Sequence, residues 1–166
     1  MVKNIYAMSQ KEQEFTTIIE QHRSTIYSVC FMFAKSSNEA DDPFQEILIR
    51  LWQGFDNFRH ESKLSTWVWR VSLNTCISAD RKLKHHKEAA IDFGRNLYHD
   101  SDTESRQAQM LHERIQRLQP FDRAIVLLWL ESMSYEEIAA IVGITPKNVS
   151  VRLYRIKEEL KKMNNQ

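Results

Sequence analysis

The chain has 166 residues, a net charge of +1 and 42% hydrophobic residues, enough for one or two small domains with real cores. It carries no signal-peptide pattern and no apolar run long enough to span a membrane, so a cytoplasmic protein without membrane insertion is expected. Gly and Pro number only three each and no stretch alternates polar and apolar residues for long, which points to an all-α fold.

Residues 1 to 10 show no pattern and read as a loose tail. From Glu12 to Lys35, Phe15, Ile18, Ile19, His22, Ile26, Tyr27, Cys30, Phe31 and Ala34 follow helical spacing. His22 in that row reads as a core or boundary residue, not a ligand. Cys30, and Cys76 further on, sit in apolar helical patterns and read as buried free thiols of a reducing compartment. Ser36-Ser37-Asn38 is a break. Asp41-Asp42-Pro43 opens a second helix, with Asp as cap and Pro expected at its first position. Phe44, Ile47, Leu48 and Leu51 form its buried side; Gln45, Glu46, Arg50 and Gln53 face out, with Trp52 at the border.

Gly54 to Lys63 reads as a loop or a short helical turn rich in polar groups. Ser65-Thr66 is expected to cap a third helix from Leu64 to about Lys84, with Trp67, Val71, Asn74 and Ser78 on one stripe. Its end is basic. The adjacent His85 and His86 point to different sides of a helix, which argues against a metal site. The following segment is acidic: Glu88, Asp92, Asp100, Asp102 and Glu104 stand against Arg95 and Arg106. Asp92 to Gln107 lacks an apolar period and reads as a flexible linker. A helix from about Ala108 buries Met110, Leu111, Ile115 and Leu118, and Pro120 breaks it. Phe121 to Glu131 is a further, very apolar helix.

The C-terminal stretch has the densest local signals. Ser134 and Glu137 form a capping box. Ile138, Ala139 and Val142 give the helix an apolar side, and Gly143 stops it. Thr145-Pro146 starts the next helix, whose Val149, Leu153, Ile156 and Leu160 recur as one stripe. Two helices joined by a tight glycine turn, with small Ala139 at the crossing, read as a helix-turn-helix. Projection of the second helix puts Lys147, Val151, Tyr154 and Arg155 opposite the stripe, Asn148 and Ser150 at its edges, and Arg152 on a flank. Such a surface suits a DNA major groove: Arg reads guanine, Val methyls touch thymine, and flank cations hold phosphates. A merely solvated helical hairpin needs none of these features in register.

Together these pieces resemble the extracytoplasmic-function (ECF) sigma factor family of bacterial transcription initiation subunits, over about residues 12 to 162. Asp42-Pro-Phe-Gln45-Glu46 followed by Leu51-Trp52 resembles its core-polymerase-binding helix. Phe58-Arg59-His60-Glu61-Ser62, then Thr66-Trp67, resembles its promoter-melting loop and helix start. Arg70 through Asn74 and Arg81 resemble the helix that follows. Leu118-Gln119-Pro120, Ser134 to Ala139 and Asn148 to Arg155 resemble its second DNA-binding domain. The chain departs from the family pattern at Ser78, often acidic, at Lys147, often glycine, and at Ser150, often basic; these positions bear on promoter sequence.

The resemblance implies two small helical domains joined by a linker. Residues 10–88 would bind core RNA polymerase and capture the minus-ten element, residues 89–107 would be the acidic linker, and residues 108–166 would read the minus-thirty-five element. It implies Asp42, Gln45, Glu46 and Trp52 as polymerase contacts. It implies Phe58, Arg59, His60, Glu61, Ser62, Trp67, Asn74 and Arg81 as contacts to the melted strand. Partners would be core polymerase, promoter DNA and an anti-sigma factor, with a monomer expected when free. No nucleophile-base arrangement, glycine-rich phosphate loop or metal-ligand spacing stands out, so no enzyme, cofactor or metal is expected. The rival is a dimeric helix-turn-helix regulator that binds palindromic DNA without polymerase.

Overall fold

A computed structural model of the protein describes residues 8–34, 41–86 and 103–163. These form seven helices, and no strand occurs among the described residues. Helix α1 (Gln10–Phe33) begins at a capping box: the Ser9 hydroxyl accepts from the Glu12 amide at 3.3 Å, and the Glu12 carboxylate accepts from the Ser9 amide at 2.6 Å. Ser9 and Gln10 thus belong to the helix start and not to a tail. The expected Ser36-Ser37-Asn38 break lies outside the described residues.

Helix α2 (Asp41–Phe55) starts early enough that Pro43 is its third residue, not its first. The position is still tolerated, because the first four N–H groups of a helix have no intrahelical partner. Helix α3 (Leu64–His86) also starts one residue before its expected caps: the Lys63 carbonyl accepts from the Trp67 amide at 3.1 Å, and Ser65 and Thr66 lie inside the first turn. Ile26, Val29, Ile47, Leu51, Val68 and Leu73 are the buried contacts of this three-helix half. Cys30 and Cys76 are buried free thiols. Cys76 is hydrogen-bonded to Cys30, which together with burial pushes its thiol far above the ordinary range.

Helix α4 (Thr103–Arg117) reaches back into the stretch expected to be linker, so Thr103 to Gln107 are helical. The Met110 and Leu111 side chains expected inside are exposed; Ile115 and Leu118 are buried. Pro120 is the first residue of α5 (Pro120–Leu130), which is buried from Arg123 to Leu128. Helices α6 (Tyr135–Val142) and α7 (Pro146–Lys162) form the expected helix-turn-helix on top of it. The Ser134–Glu137 capping box is formed, with bonds of 3.2 and 2.9 Å. Gly143 takes φ +77°, a left-handed conformation that costs a residue with a Cβ about 1–2 kcal/mol. The Thr145 hydroxyl accepts from the Asn148 amide at 3.2 Å. Val149, Leu153 and Ile156 are buried, as their spacing requires.

The two halves pack on each other, α1 and α3 against α4, α5 and α6. At the centre of this seam Arg123 of α5 is 3% exposed. Its Nη2 donates to the carbonyls of Gln116 at 2.7 Å and Leu118 at 3.2 Å, the orphan acceptors at the end of α4. Its guanidinium lies 5.1 Å from the Phe33 ring centre of α1 and 3.9 Å from the Asp80 carboxylate of α3. The Gln116 side-chain amide donates to the carbonyls of Met32 and Ala34. His112 stacks on Phe31 with ring centres 4.6 Å apart.

Burial, with a smaller contribution from the Arg123 cation, lowers the His112 pKa below its ordinary 6.5. The unfolded chain therefore binds this proton more tightly than the folded one. The stability contributed by neutral His112 is fully present above about pH 6.5 and is lost as pH falls below it. Thermal unfolding midpoints should fall on acidification through that window, and less so in His112→Phe, which keeps the stack on Phe31. Burial lowers His22 in the same direction, so a residual fall should persist in the variant. An identical pH profile for His112→Phe would show that the seam histidine carries no linkage.

Candidate functional site

Three surfaces collect the residues singled out above. On α2, Asp42, Gln45, Glu46 and Trp52 fall on one outward face. Glu46 is held by Arg50, one turn on, with Oε1 accepting from Nε at 2.9 Å. Trp52 is less free than the others: its ring meets Phe15 edge-on at 5.1 Å, and the Lys11 ammonium sits 4.4 Å from its centre. Ile49 lies between Glu46 and Trp52 on this face and is 51% exposed. Helical periodicity assigned it no role; the signal was the run Ile47-Leu48-Ile49, which one side of a helix cannot bury whole.

The second surface is the turn between α2 and α3. Asn57, Phe58, Arg59, Glu61, Ser62, Trp67 and Arg70 line an open recess of about 330 Å³. Phe58 and Trp67 make its aromatic wall, with ring centres 5.0 Å apart. Gly54 lets Trp67 settle against α2, since a Cβ there would come within 3.2 Å of the indole. His60 stands behind, edge-on to Phe58 at 4.6 Å, on a backbone of φ +55°. The structure thus gathers Phe58, Arg59, Glu61, Ser62 and Trp67 around one space and leaves His60 at its back. Asn74 and Arg81 do not line it; both are exposed further along α3. Arg70, outside the candidate set, does line it.

The third surface is the outer side of α7. Lys147, Asn148, Ser150, Val151, Tyr154 and Arg155 are exposed there, Tyr154 to 68%. Arg155 has no ion pair or ring contact among the described residues. Arg152, on the flank, turns toward α5, where its expected partner was a phosphate: it pairs with Asp122 and lies 4.8 Å from the centre of the Phe121 ring. Two cations of one helix are therefore in different situations, one projecting and one tied to the fold. No group of three or more acidic, His or Cys side chains able to hold a metal occurs among the described residues. No helix among them is long and apolar enough to cross a membrane.

Known proteins share this arrangement. Residues 18–86 match the family model of sigma-70 region 2, and residues 108–160 match that of sigma-70 region 4. The chain is 27% identical to the ECF RNA polymerase sigma factor SigW of Bacillus subtilis, over 96% of this chain and 94% of that protein. It is 26% identical to the RNA polymerase sigma-H factor of Pseudomonas aeruginosa, over 91% and 86% of the two chains. Among solved structures, it shares the fold of the sigma factor RpoE in a complex with the anti-sigma factor NepR from Bartonella quintana. The TM-score is 0.74 at 20% identity, covering 92% of this chain and 98% of that one. Two sigma-70 regions in order, spanning most of the chain, together with these full-length relatives, place the protein in the extracytoplasmic-function family of sigma factors, transcription initiation subunits that act with core RNA polymerase at promoter DNA.

Proposed function

We propose that the three surfaces divide the work of promoter-specific initiation. The face of α2 carrying Asp42, Gln45, Glu46, Ile49 and Trp52 docks on core polymerase. The recess at Phe58–Trp67 receives a base extruded from the melted minus-ten strand. Helix α7 enters the major groove of the minus-thirty-five element as duplex. On this reading residues 10–88 form the polymerase and minus-ten unit, residues 108–166 form the minus-thirty-five unit, and the connection between them is shortened by the early start of α4. The chain works in the cytoplasm, as a monomer until it meets polymerase. An anti-sigma partner is supported by the fold shared with a sigma factor solved on its anti-sigma factor. Family membership favours a polymerase subunit over a free-standing dimeric regulator.

The observation that carries this reading is the recess. Unstacking a base costs a few kcal/mol, and stacking on an aromatic side chain returns about 1–3 kcal/mol. Phe58 and Trp67 supply such a wall, while Asn57, Glu61 and Ser62 supply donors and acceptors for a base edge. Asn74 and Arg81 would meet the strand further along α3, beyond the captured base.

Three experiments test the division. Glu46→Lys reverses charge at an exposed position whose only cost to the fold is a surface pair of about 0.3–0.5 kcal/mol. It should weaken core binding in pull-down with the unfolding midpoint nearly unchanged; undiminished binding would remove Glu46 from the contact. Replacement of Arg59, Glu61 and Ser62 by alanine and His60 by glycine should abolish open complexes while core binding persists. Permanganate footprinting reads this directly, and normal thymine reactivity would take the loop out of the mechanism.

On α7, Arg155→Ala should relax preference at one base of the upstream element, since an Arg–guanine pair discriminates by about 1–3 kcal/mol. Arg152→Ala should lower affinity about equally for all sequences and should also lower thermal stability by roughly 0.5–1 kcal/mol, through loss of the Asp122 and Phe121 contacts. Transcription on single-base promoter variants, beside thermal unfolding, separates the two. A change of base preference in Arg152→Ala but not in Arg155→Ala would overturn the placement of α7 in the groove.

A further inference from the structure

Two charges stand at the unfavourable ends of their own helices. Lys11 is the second residue of α1, where the positive end of the helix dipole disfavours a cation. Asp56 directly follows the last residue of α2, where the negative end disfavours an anion. Neither helix accounts for its own charge. The two meet instead: Nζ of Lys11 donates to the Asp56 carboxylate at 2.5 Å. An ion pair this open, with side chains 37% and 67% exposed, contributes little to stability. It does place the Lys11 ammonium 4.4 Å from the centre of the Trp52 ring, one turn back along α2 from Asp56. Phe15, one turn along α1 from Lys11, completes the arrangement. It meets the Trp52 ring edge-on at 5.1 Å and the Phe55 ring at 5.6 Å. Two side chains of α1 thus hold an exposed indole of α2.

We propose that Lys11 and Asp56 are positioning residues for Trp52: they hold its indole in the one orientation that core polymerase takes up. The proposal rests on the α2 face as the polymerase contact. A loose surface side chain loses rotamer freedom when a partner fixes it, and a ring already held does not incur that loss. Trp is among the side chains whose truncation weakens interfaces most, so its orientation counts for more than that of its polar neighbours on α2. The attraction between a cation and a ring face is one that Arg reproduces and an uncharged chain of similar length does not.

The test uses the full chain labelled with 5-fluorotryptophan and titrated with core polymerase. Its four tryptophans give four fluorine resonances, and the Trp52 line is the one missing from Trp52→Phe. Lys11→Met keeps the length of the side chain and removes the charge. It should move the Trp52 line toward its position in the unfolded chain, leave the other three in place, and weaken core binding about fivefold. The unfolding midpoint should be no lower than the parent's, since a charge at an unfavourable helix end is removed. Lys11→Arg should keep both the line and the affinity of the parent. Should Lys11→Met lower the midpoint, Asp56→Asn, which leaves the ammonium on the chain and frees it, is read in its place and should shift line and affinity in the same directions.

A Trp52 line that stays in place in Lys11→Met overturns the positioning role, and so does a line that moves while core affinity holds. A loss of affinity that Lys11→Arg shares overturns the cation–ring contact as its cause. In a Trp52→Ala background Lys11→Met should weaken core binding no further, because it acts only through the ring; an undiminished loss there shows Lys11 acting by itself and overturns the proposal. Trp52→Ala also separates these failures from failure of the docking face. If it binds core polymerase as tightly as the parent, the ring is no contact and this inference falls with that part of the face. If it binds weakly while Lys11→Met binds as the parent does, the face stands and the positioning role alone falls.

Discussion

A single guanidinium, withdrawn from solvent, joins four helices. Arg123 rises from α5, closes the end of α4 by donating to the Gln116 and Leu118 carbonyls, and meets Phe33 of α1 and Asp80 of α3. Taking a cation out of water costs several kcal/mol, and no one of these contacts offsets that alone. The carbonyls lie at the negative end of the α4 dipole, the ring presents its electron-rich face, and the carboxylate supplies countercharge. Because α4 and α5 contribute from one half and α1 and α3 from the other, this site exists in full only while the halves are packed.

That constraint sorts the functional surfaces. In the closed arrangement the α2 face and the outer side of α7 are exposed. The recess differs, because one of its lining residues is engaged by the opposite half. The free energy of parting includes rehydration of Arg123, which favours the cation, and exposure of apolar seam contacts, which does not.

How far the residues alone disclosed this depends on the range of each interaction. The helix-turn-helix was legible because its determinants are local: Ser134 and Glu137 lie three residues apart, Gly143 needs only its own φ, and the α7 stripe repeats within one helix. Starts marked by backbone alone were not legible. Lys63 caps α3 with a carbonyl, which every residue has, so Ser65-Thr66 drew attention instead. The first turns of α4 are polar, and hydrophobic periodicity is blind to a helix without an apolar side. The Ser9–Glu12 box, by contrast, is as local as the Ser134–Glu137 box, with the same spacing of three.

The candidate sites follow the same rule. Phe58 to Ser62 announced itself as a segment unsuited to a core, and the structure folds most of it around one space. Asn74 and Arg81 came from resemblance, and rise along α3 carries them out of that space. The contact of Arg70 with Ala140 had no signature, because its partner is a main-chain oxygen seventy positions away in sequence. Long-range contacts to backbone leave no pattern of side chains to read.

The thiols of α1 and α3 have a practical corollary. Cys30 and Cys76 are the chain's only cysteines, both buried, and alkylating reagents attack thiolates. Mutual hydrogen bonding and burial keep Cys76 protonated in the native state. Under native conditions, modification must therefore wait for an opening that exposes the thiols, and its rate is a clock for that opening. An added surface cysteine would then carry a probe at one site, with no need to remove the native pair.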